Sequence, residues 1–356
     1  MLSYRKYLFS ILYRLVRFLV KNIVFGYQKV LLKDRDLESI VNFGDKNLIR
    51  INKYFGNFAY GFSIPKNIGL DIFDLKFKSP LVAASFKAEK DLLGIWLKLG
   101  LGGAIFKTIM KDERIGNERP RMQQVRLERQ PCIVNALGLP GKGIDSFLKE
   151  IILSPLWEYE RPLGISIGGE DFGEYVYGFD NIEKSIHNKV PDNYFYEINI
   201  SCPNTDTGMS LGDDLVSLEK LTNHIRSNCS AVISLKVSPD WSNDHLRNIG
   251  EIIRQKEKMF VNAGNTQFRS IDSLGLKKNQ LSRNGGGLSG VAIFPRTLEM
   301  IHLYKDMNIN IMATGGVSTI HHLQAAKNSG ASLVAMATAL IMDPYCIPKI
   351  NYELGG

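Results

Sequence analysis

Eight short runs of β-branched and apolar residues recur along the chain: SPLVAAS (79-85), GGAIFKT (102-108), PLGISIG (162-168), YFYEINIS (194-201), AVISLKV (231-237), KMFVNAG (258-264), INIMATGG (309-316) and SLVAMAT (332-338). Stretches of helical spacing such as EKDLLGIWLKL, DLVSLEKLTNHI and SNDHLRNIGEIIRQ separate most of them. Apolar strands alternating with helices imply a parallel sheet covered on both faces, and eight such units predict a closed (β/α)8 TIM barrel of the α/β class. An open doubly wound sheet is the alternative. It is disfavoured because no G-x-G-x-x-G follows the first strand; the glycine-rich signals follow the sixth, seventh and eighth.

With 356 residues, 44% hydrophobic and 22% charged, the chain can build such a barrel plus an appendage. The boundary falls near residue 65: residues 1-65 read as a basic helical extension and 66-356 as the barrel domain. In MLSYRKYLFSILYRLVRFLVKNIVFGYQKVLL, spacings of three and four put Arg14, Arg17 and Lys21 on one helical face, opposite Leu8, Leu12, Leu15, Phe18 and Leu19. No apolar run approaches the roughly 20 residues needed to span a bilayer, and no signal-peptide cleavage pattern follows. The expectation is an interfacial helix on an anionic membrane surface, hence a peripheral protein on the cytoplasmic side. A helix packed on its own domain, in a soluble cytoplasmic protein, is the alternative.

The net charge of +8 attracts anions: nucleic acid, acidic lipid, or phosphorylated and carboxylated small molecules. Cys132, Cys202, Cys229 and Cys346 form no C-x-x-C pair, and the six histidines form no H-E-x-x-H. A zinc site and a disulfide framework are therefore disfavoured, no metal is expected, and a reducing compartment fits. Adjacent His321 and His322 read as an exposed helix start.

In a barrel of this kind the active site lies where the strands end. Lys107 and Thr108 close strand 2, Asn199 and Cys202 close strand 4, and Lys236 closes strand 5. Asn262, Asn265 and Thr266 follow strand 6, Gly315 and Gly316 close strand 7, and Thr338 closes strand 8. Singly, such lysines are usually solvated and such asparagines and glycines form turns. Together they describe a site for an anionic cofactor beside a polar planar substrate. GGGLSG (285-290), ATGG (313-316) and MATAL (336-340) bring backbone N–H groups to a phosphate, the lysines meet developing negative charge, and the asparagines suit a ring of alternating N–H and C=O groups. Cys202 is a core thiol, a metal ligand or a base; a modest electropositive shift from a thiol's ordinary pKa makes a base usable near neutrality.

GNERPR (116-121), IVNALGLPGKG (133-143), INISCPNT (198-205), VNAGNT (261-266), GGLSG (286-290) and TGGV (314-317) occur in one order that resembles the dihydroorotate dehydrogenases, the flavin enzymes of pyrimidine synthesis. The resemblance runs from about residue 66 to the end. It implies FMN as cofactor, dihydroorotate and orotate as substrate and product, and no nucleic-acid partner. It makes Cys202 the base that takes the C5 proton of dihydroorotate while a hydride leaves C6 for N5 of FMN. Asn135, Asn199, Asn204, Asn265 and Thr266 match groups holding the pyrimidine and its carboxylate, and Lys107 and Lys236 match flavin-contacting lysines. Gly290, Gly316 and Thr338 fall at the FMN phosphate, Ala84 and Ser85 on a loop beside the flavin, with Thr108, Asn262 and Gly315 also assigned to the cofactor.

The family divides into soluble class 1 enzymes with a cysteine base, using fumarate or, with a partner subunit, NAD, and membrane-associated class 2 enzymes with a serine base, reducing quinone. Cys202, Lys107 and LGLPGKG resemble class 1. The N-terminal extension and Arg126, nine residues before Asn135, resemble class 2, whereas Ala337 stands where class 2 usually has tyrosine and GISIGGED lacks its Lys-Asn. The expectation favours quinone, with fumarate or NAD as alternatives. A related FMN barrel acting on another dihydropyrimidine, or a non-catalytic flavin-binding scaffold, completes the set.

Overall fold

The computed structural model describes residues 2-201 and 210-356. Eight parallel strands close into a barrel in chain order: β1 (Leu81–Ala83), β2 (Gly103–Ile109), β3 (Leu163–Ile167), β4 (Tyr194–Asn199), β5 (Val232–Val237), β6 (Met259–Ala263), β7 (Ile311–Thr314) and β8 (Leu333–Met336). Seven lie inside runs picked out by the sequence, and β2 passes the end of its run by one residue, Ile109. Residues of period two divide each strand between the interior and the helical shell. On β4, Tyr194, Tyr196 and Ile198 pack outward while Phe195, Glu197 and Asn199 face in; on β5 the inward set is Val232, Ser234 and Lys236. The interior is thus apolar at the bottom and polar at the top. A hairpin, Leu70–Ile72 with Leu75–Phe77, seals the bottom by packing Ile72, Leu75 and Phe77 against Phe195, Phe260 and Met312.

The outer helices begin and end on local chemistry. The helix Leu215–Asn228 starts where the Asp214 carboxylate accepts from the Val216 and Ser217 N–H groups. The helix Lys90–Leu99 stops at Gly100, whose φ of 115° no side chain would favour.

Two βα connections are long enough to build a second layer. Met122–Leu127 and Gln130–Asn135, after β2, join Gln267–Ser270 and Gly285–Gly290, after β6, in a four-stranded antiparallel sheet over the barrel mouth. These strands do not follow from the sequence, in which GGGLSG reads as a phosphate-facing stretch and IVNALGLPGKG as a motif of the family resemblance.

Before the barrel come two helices, α1 (Leu2–Val30) and α2 (Leu37–Tyr60). α2 buries Leu37, Ile40 and Val41 against Met122 and Ile133 of the capping sheet. Arg121 on the cap-side loop donates to both Glu38 oxygens, at 2.8 and 2.9 Å. α1 inverts one expectation: its polar face turns to the protein. Ser10 donates to Asp343 at 2.6 Å, Lys349 donates to both, and Arg17 donates to Gln124 at 3.1 Å. Leu8, Leu12, Leu15, Phe18 and Leu19 are left exposed. The basic face expected to meet headgroups is therefore partly used, Arg14 being exposed and Arg17 and Lys21 half-buried. The physical reason is that the buried Asp343 carboxylate, after the last barrel strand, and the half-buried Gln124 amide of the capping sheet hold the helix by its polar side. None of the described helices is long and apolar enough to cross a membrane.

Candidate active site

Strand register determines which side chains reach the mouth together. Asn199 pairs with Lys236, and Lys236 with Asn262, so three adjacent strands carry one row of polar groups, of which Asn199 and Lys236 line the cavity. A register shift in β2 between Phe106 and Ile109 falls at Lys107 and Thr108, and such irregularities re-aim side chains at strand ends. Between this row and the capping sheet lies a cavity of about 1450 Å³. That exceeds the usual single-ligand pocket and accommodates a cofactor with a substrate beside it.

The substrate-side residues are held by hydrogen bonds rather than left loose. Asn199 Nδ2 donates to Thr108 Oγ1 at 2.9 Å, Ser201 Oγ donates to Asn199 Oδ1 at 3.1 Å, and Asn265 Nδ2 donates to Ser201 Oγ at 2.7 Å. Asn265 Oδ1 in turn accepts from the Thr266 N–H at 2.9 Å. From the cap, Asn135 Nδ2 donates to the Gly287 carbonyl at 3.3 Å, and Thr338 Oγ1 donates to Ser289 Oγ at 2.8 Å. Lys236 is buried and donates to Ser85 Oγ at 2.9 Å. Burial pushes the Lys107 ammonium down to about 8, with Glu89 opposing that shift.

A cluster of positive-φ glycines suits a phosphate. Gly290, Gly315 and Gly316 have φ of 112°, 138° and 79°. A Cβ on Gly316 would sit 2.6 Å from the Phe294 Cβ, so the turn that turns backbone toward the cavity requires glycine.

Of the residues expected at the site, Asn135, Asn199, Asn265, Thr266, Ala84, Ser85, Lys107, Thr108, Lys236, Gly290, Gly315, Gly316 and Thr338 line this one cavity. Asn262 does not. It is fully buried beneath the floor, donating to Glu197 Oε2 at 2.6 Å and accepting from Thr314 at 2.5 Å, so its expected contact with the cofactor is corrected to a supporting position. Cys202 and Asn204 lie outside the described residues. Cys132 and Cys346 are buried and Cys229 half-buried. The sequence reading missed Glu197, a charge inside an apolar-looking strand, and the wall formed by Glu38, Val41 and Asn42 of α2. Period two along YEIN was the available signal for Glu197, since it places Glu197 on the same side as Asn199.

Fold and site together define a (β/α)8 enzyme whose cavity at the strand ends has the size and lining for a phosphorylated planar cofactor with a small polar ring beside it. The family model for dihydroorotate dehydrogenase matches residues 68–356. Curated relatives include "Dihydroorotate dehydrogenase B (NAD(+)), catalytic subunit" of Malacoplasma penetrans, 30% identical over 291 residues and covering 81% of this chain and 90% of the relative. The protein of the same description from Fusobacterium nucleatum is 29% identical over 286 residues, covering 78% and 88%. Among solved structures, dihydroorotate dehydrogenase of Eimeria tenella, ligand-free, has a TM-score of 0.71 at 22% identity over 87% of this chain and 93% of its own; the ferulenol complex gives 0.70 at 20%, over 87% and 90%. Those two likenesses speak to the fold. The chain belongs to the dihydroorotate dehydrogenase family, and is an FMN-dependent oxidoreductase. The lysines and positive-φ glycines around the cavity fit that cofactor.

Proposed function

We propose that this chain oxidises dihydroorotate to orotate, with Cys202 as the base for the C5 proton. The observation that carries it is the convergence of Asn135, Asn199, Asn265 and Thr266 on the cavity that Lys107 and Lys236 also enter. Amide groups from strands and cap offer both donors and acceptors to the alternating N–H and C=O edge of the pyrimidine. Their mutual hydrogen bonds fix them before substrate arrives, which reduces the ordering cost of binding. Bound FMN supplies the two-electron acceptor. Lys236 would place positive charge toward the negative charge that reduction adds to the cofactor, and the capping sheet and α2 wall the cavity. Cys202 directly follows Ser201, whose hydroxyl bridges Asn199 and Asn265. A thiolate there receives the proton as the C5–C6 double bond forms. The test is an absorbance spectrum of purified protein: it should be yellow, release FMN on denaturation, and bleach anaerobically with dihydroorotate. A colourless protein, or one bleached by dihydrouracil and not dihydroorotate, would overturn this reading.

For the electrons that leave the flavin, NAD through a partner subunit is the first reading, since relatives sharing 30% of their residues carry that description. The family match begins at residue 68, however, and one observation on the preceding residues favours quinone. α1 exposes an apolar stripe, while its Val20, Val24 and Phe25 pack against the cluster of Leu37, Ile40, Val41, Met122 and Ile133, which Ile341 and Met342 of the cavity wall also join. Lys21 is depressed by burial and by Arg17 and Arg126, which places three cations beside this apolar seam. Turnover with NAD, fumarate and a short-chain quinone, compared in one preparation, decides between them.

A further inference from the structure

Below the cavity floor, Glu197 on β4 is fully buried and does not line the cavity. It accepts hydrogen bonds from Ser85 Oγ at 2.6 Å, Ser166 Oγ at 2.8 Å and Asn262 Nδ2 at 2.6 Å. Lys236 Nζ stands 4.0 Å from the same carboxylate and donates to the Ser85 hydroxyl that bridges them. An isolated charge at this depth would be prohibitive; three donors and a nearby ammonium make it tenable. The network continues through Ser166, Thr108, Asn199 and Ser201 to Asn265, so the carboxylate also anchors the substrate side.

We propose that Glu197 is a positioning residue that fixes Lys236 through Ser85 and sets the charge of the flavin floor, and thereby the reduction potential of the bound flavin. This rests on the reading above that Lys236 faces the cofactor. The argument is one of compensation. Lys236 alone would stabilise the negative charge of reduced flavin, which raises the potential; the buried carboxylate beside it offsets part of that field. A barrel interior could place an apolar residue at this inward position, as it does at Phe195 one step below. A carboxylate here adds the cost of burying a second charge, and what it returns is a lysine held in one place with its field moderated.

The test is the midpoint potential of the FMN-loaded protein by equilibrium dye titration, with FMN content and orotate binding measured alongside. Glu197→Gln keeps the shape and removes the charge. Its potential should rise, the equilibrium moving about tenfold toward reduced flavin, about 30 mV for a two-electron couple. Ser166→Ala removes one donor from the carboxylate without reaching the cavity, leaves more of its negative charge unscreened, and should shift the potential down by a smaller amount. Opposite signs distinguish an electrostatic role from damage, which would move both variants alike. If Glu197→Gln does not fold, the downward shift of Ser166→Ala carries the test alone. Potentials equal to wild type in the folded variants, or shifts of one sign in both, would overturn the proposal. Failure of the wild-type protein to bind FMN or to be bleached by dihydroorotate would instead overturn the reading on which it rests.

Discussion

Cys202 and Lys107 carry the chemistry that can be tested one side chain at a time. Cys202→Ala should retain FMN and orotate binding but bleach with dihydroorotate about 10²- to 10⁴-fold more slowly, the usual cost of losing a placed general base. Cys202→Ser, which keeps a proton acceptor at the same place, should recover part of the rate. Anaerobic stopped-flow spectroscopy reads both, and a wild-type rate in the alanine variant would reduce Cys202 to a packing residue. Lys107 gives a pH dependence. Its ammonium is pushed down to about 8 by burial, so it is charged below that pH and loses its charge as pH rises through it. The cofactor's negative groups favour the charged form. FMN affinity of the stripped protein should therefore weaken above about pH 8, and Lys107→Gln should lower affinity at pH 7 and flatten the profile. Fluorescence titration from pH 7 to 9 checks this; a flat wild-type profile would place Lys107 outside the cofactor site.

α2 shows why an element outside the family match can still belong to the site. Leu37 is fully buried against the capping sheet, and Glu38, one residue on, walls the cavity while Arg121 clamps it. Leu37→Ala should cost about 2–5 kcal/mol of stability by leaving a cavity at this junction. Thermal melting and FMN retention measure it, and an unchanged melt would mean that α2 rests on the barrel without supporting it. The eight barrel strands were legible because each is a short apolar run between turns, a signal that local sequence carries by itself. The four capping strands were not. Gly285, Gly286 and Gly287 lack side chains that alternate, and the strand's register is set from about 150 residues away, where Gly287 pairs with Asn135 and Leu288 with Val134. The site was legible at strand exits, where polar residues interrupt apolar runs, and illegible at Asn262, which stands level with Lys236 but is closed off by its bonds to Glu197 and Thr314. The face that α1 buries was hidden for a similar reason: Asp343 and Lys349, which capture Ser10, lie more than 330 residues away.

Considered as a whole, the molecule carries net positive charge together with an apolar stripe on α1, and the two do not share a face in the way an isolated amphipathic helix suggests. Arg17 is turned inward onto Gln124, and Lys21 is half-buried beside Arg17 and Arg126. Exposed Leu8, Leu12, Leu15, Phe18 and Leu19 remain to contact a bilayer, joined by Phe43, Tyr54, Phe55 and Phe58 of α2. If this surface meets lipid, burial of apolar area must supply most of the affinity, at about 25 cal/mol per Å² removed from water. Binding should then persist on neutral vesicles. Removing all of α1 and α2 would be a poor test, because α2 walls the cavity. The variant Leu8→Glu/Leu12→Glu/Leu15→Glu/Leu19→Glu changes only exposed positions on α1 and should leave the melting temperature and dihydroorotate bleaching near wild type. Vesicle sedimentation should fall away in that variant, and turnover with a membrane-borne quinone should fall with it, while turnover with a water-soluble acceptor is unchanged. Wild-type protein that stays in the supernatant with neutral and anionic vesicles alike, and that reduces NAD faster than quinone, would remove the membrane from its function and assign the α1 stripe to contact with another protein.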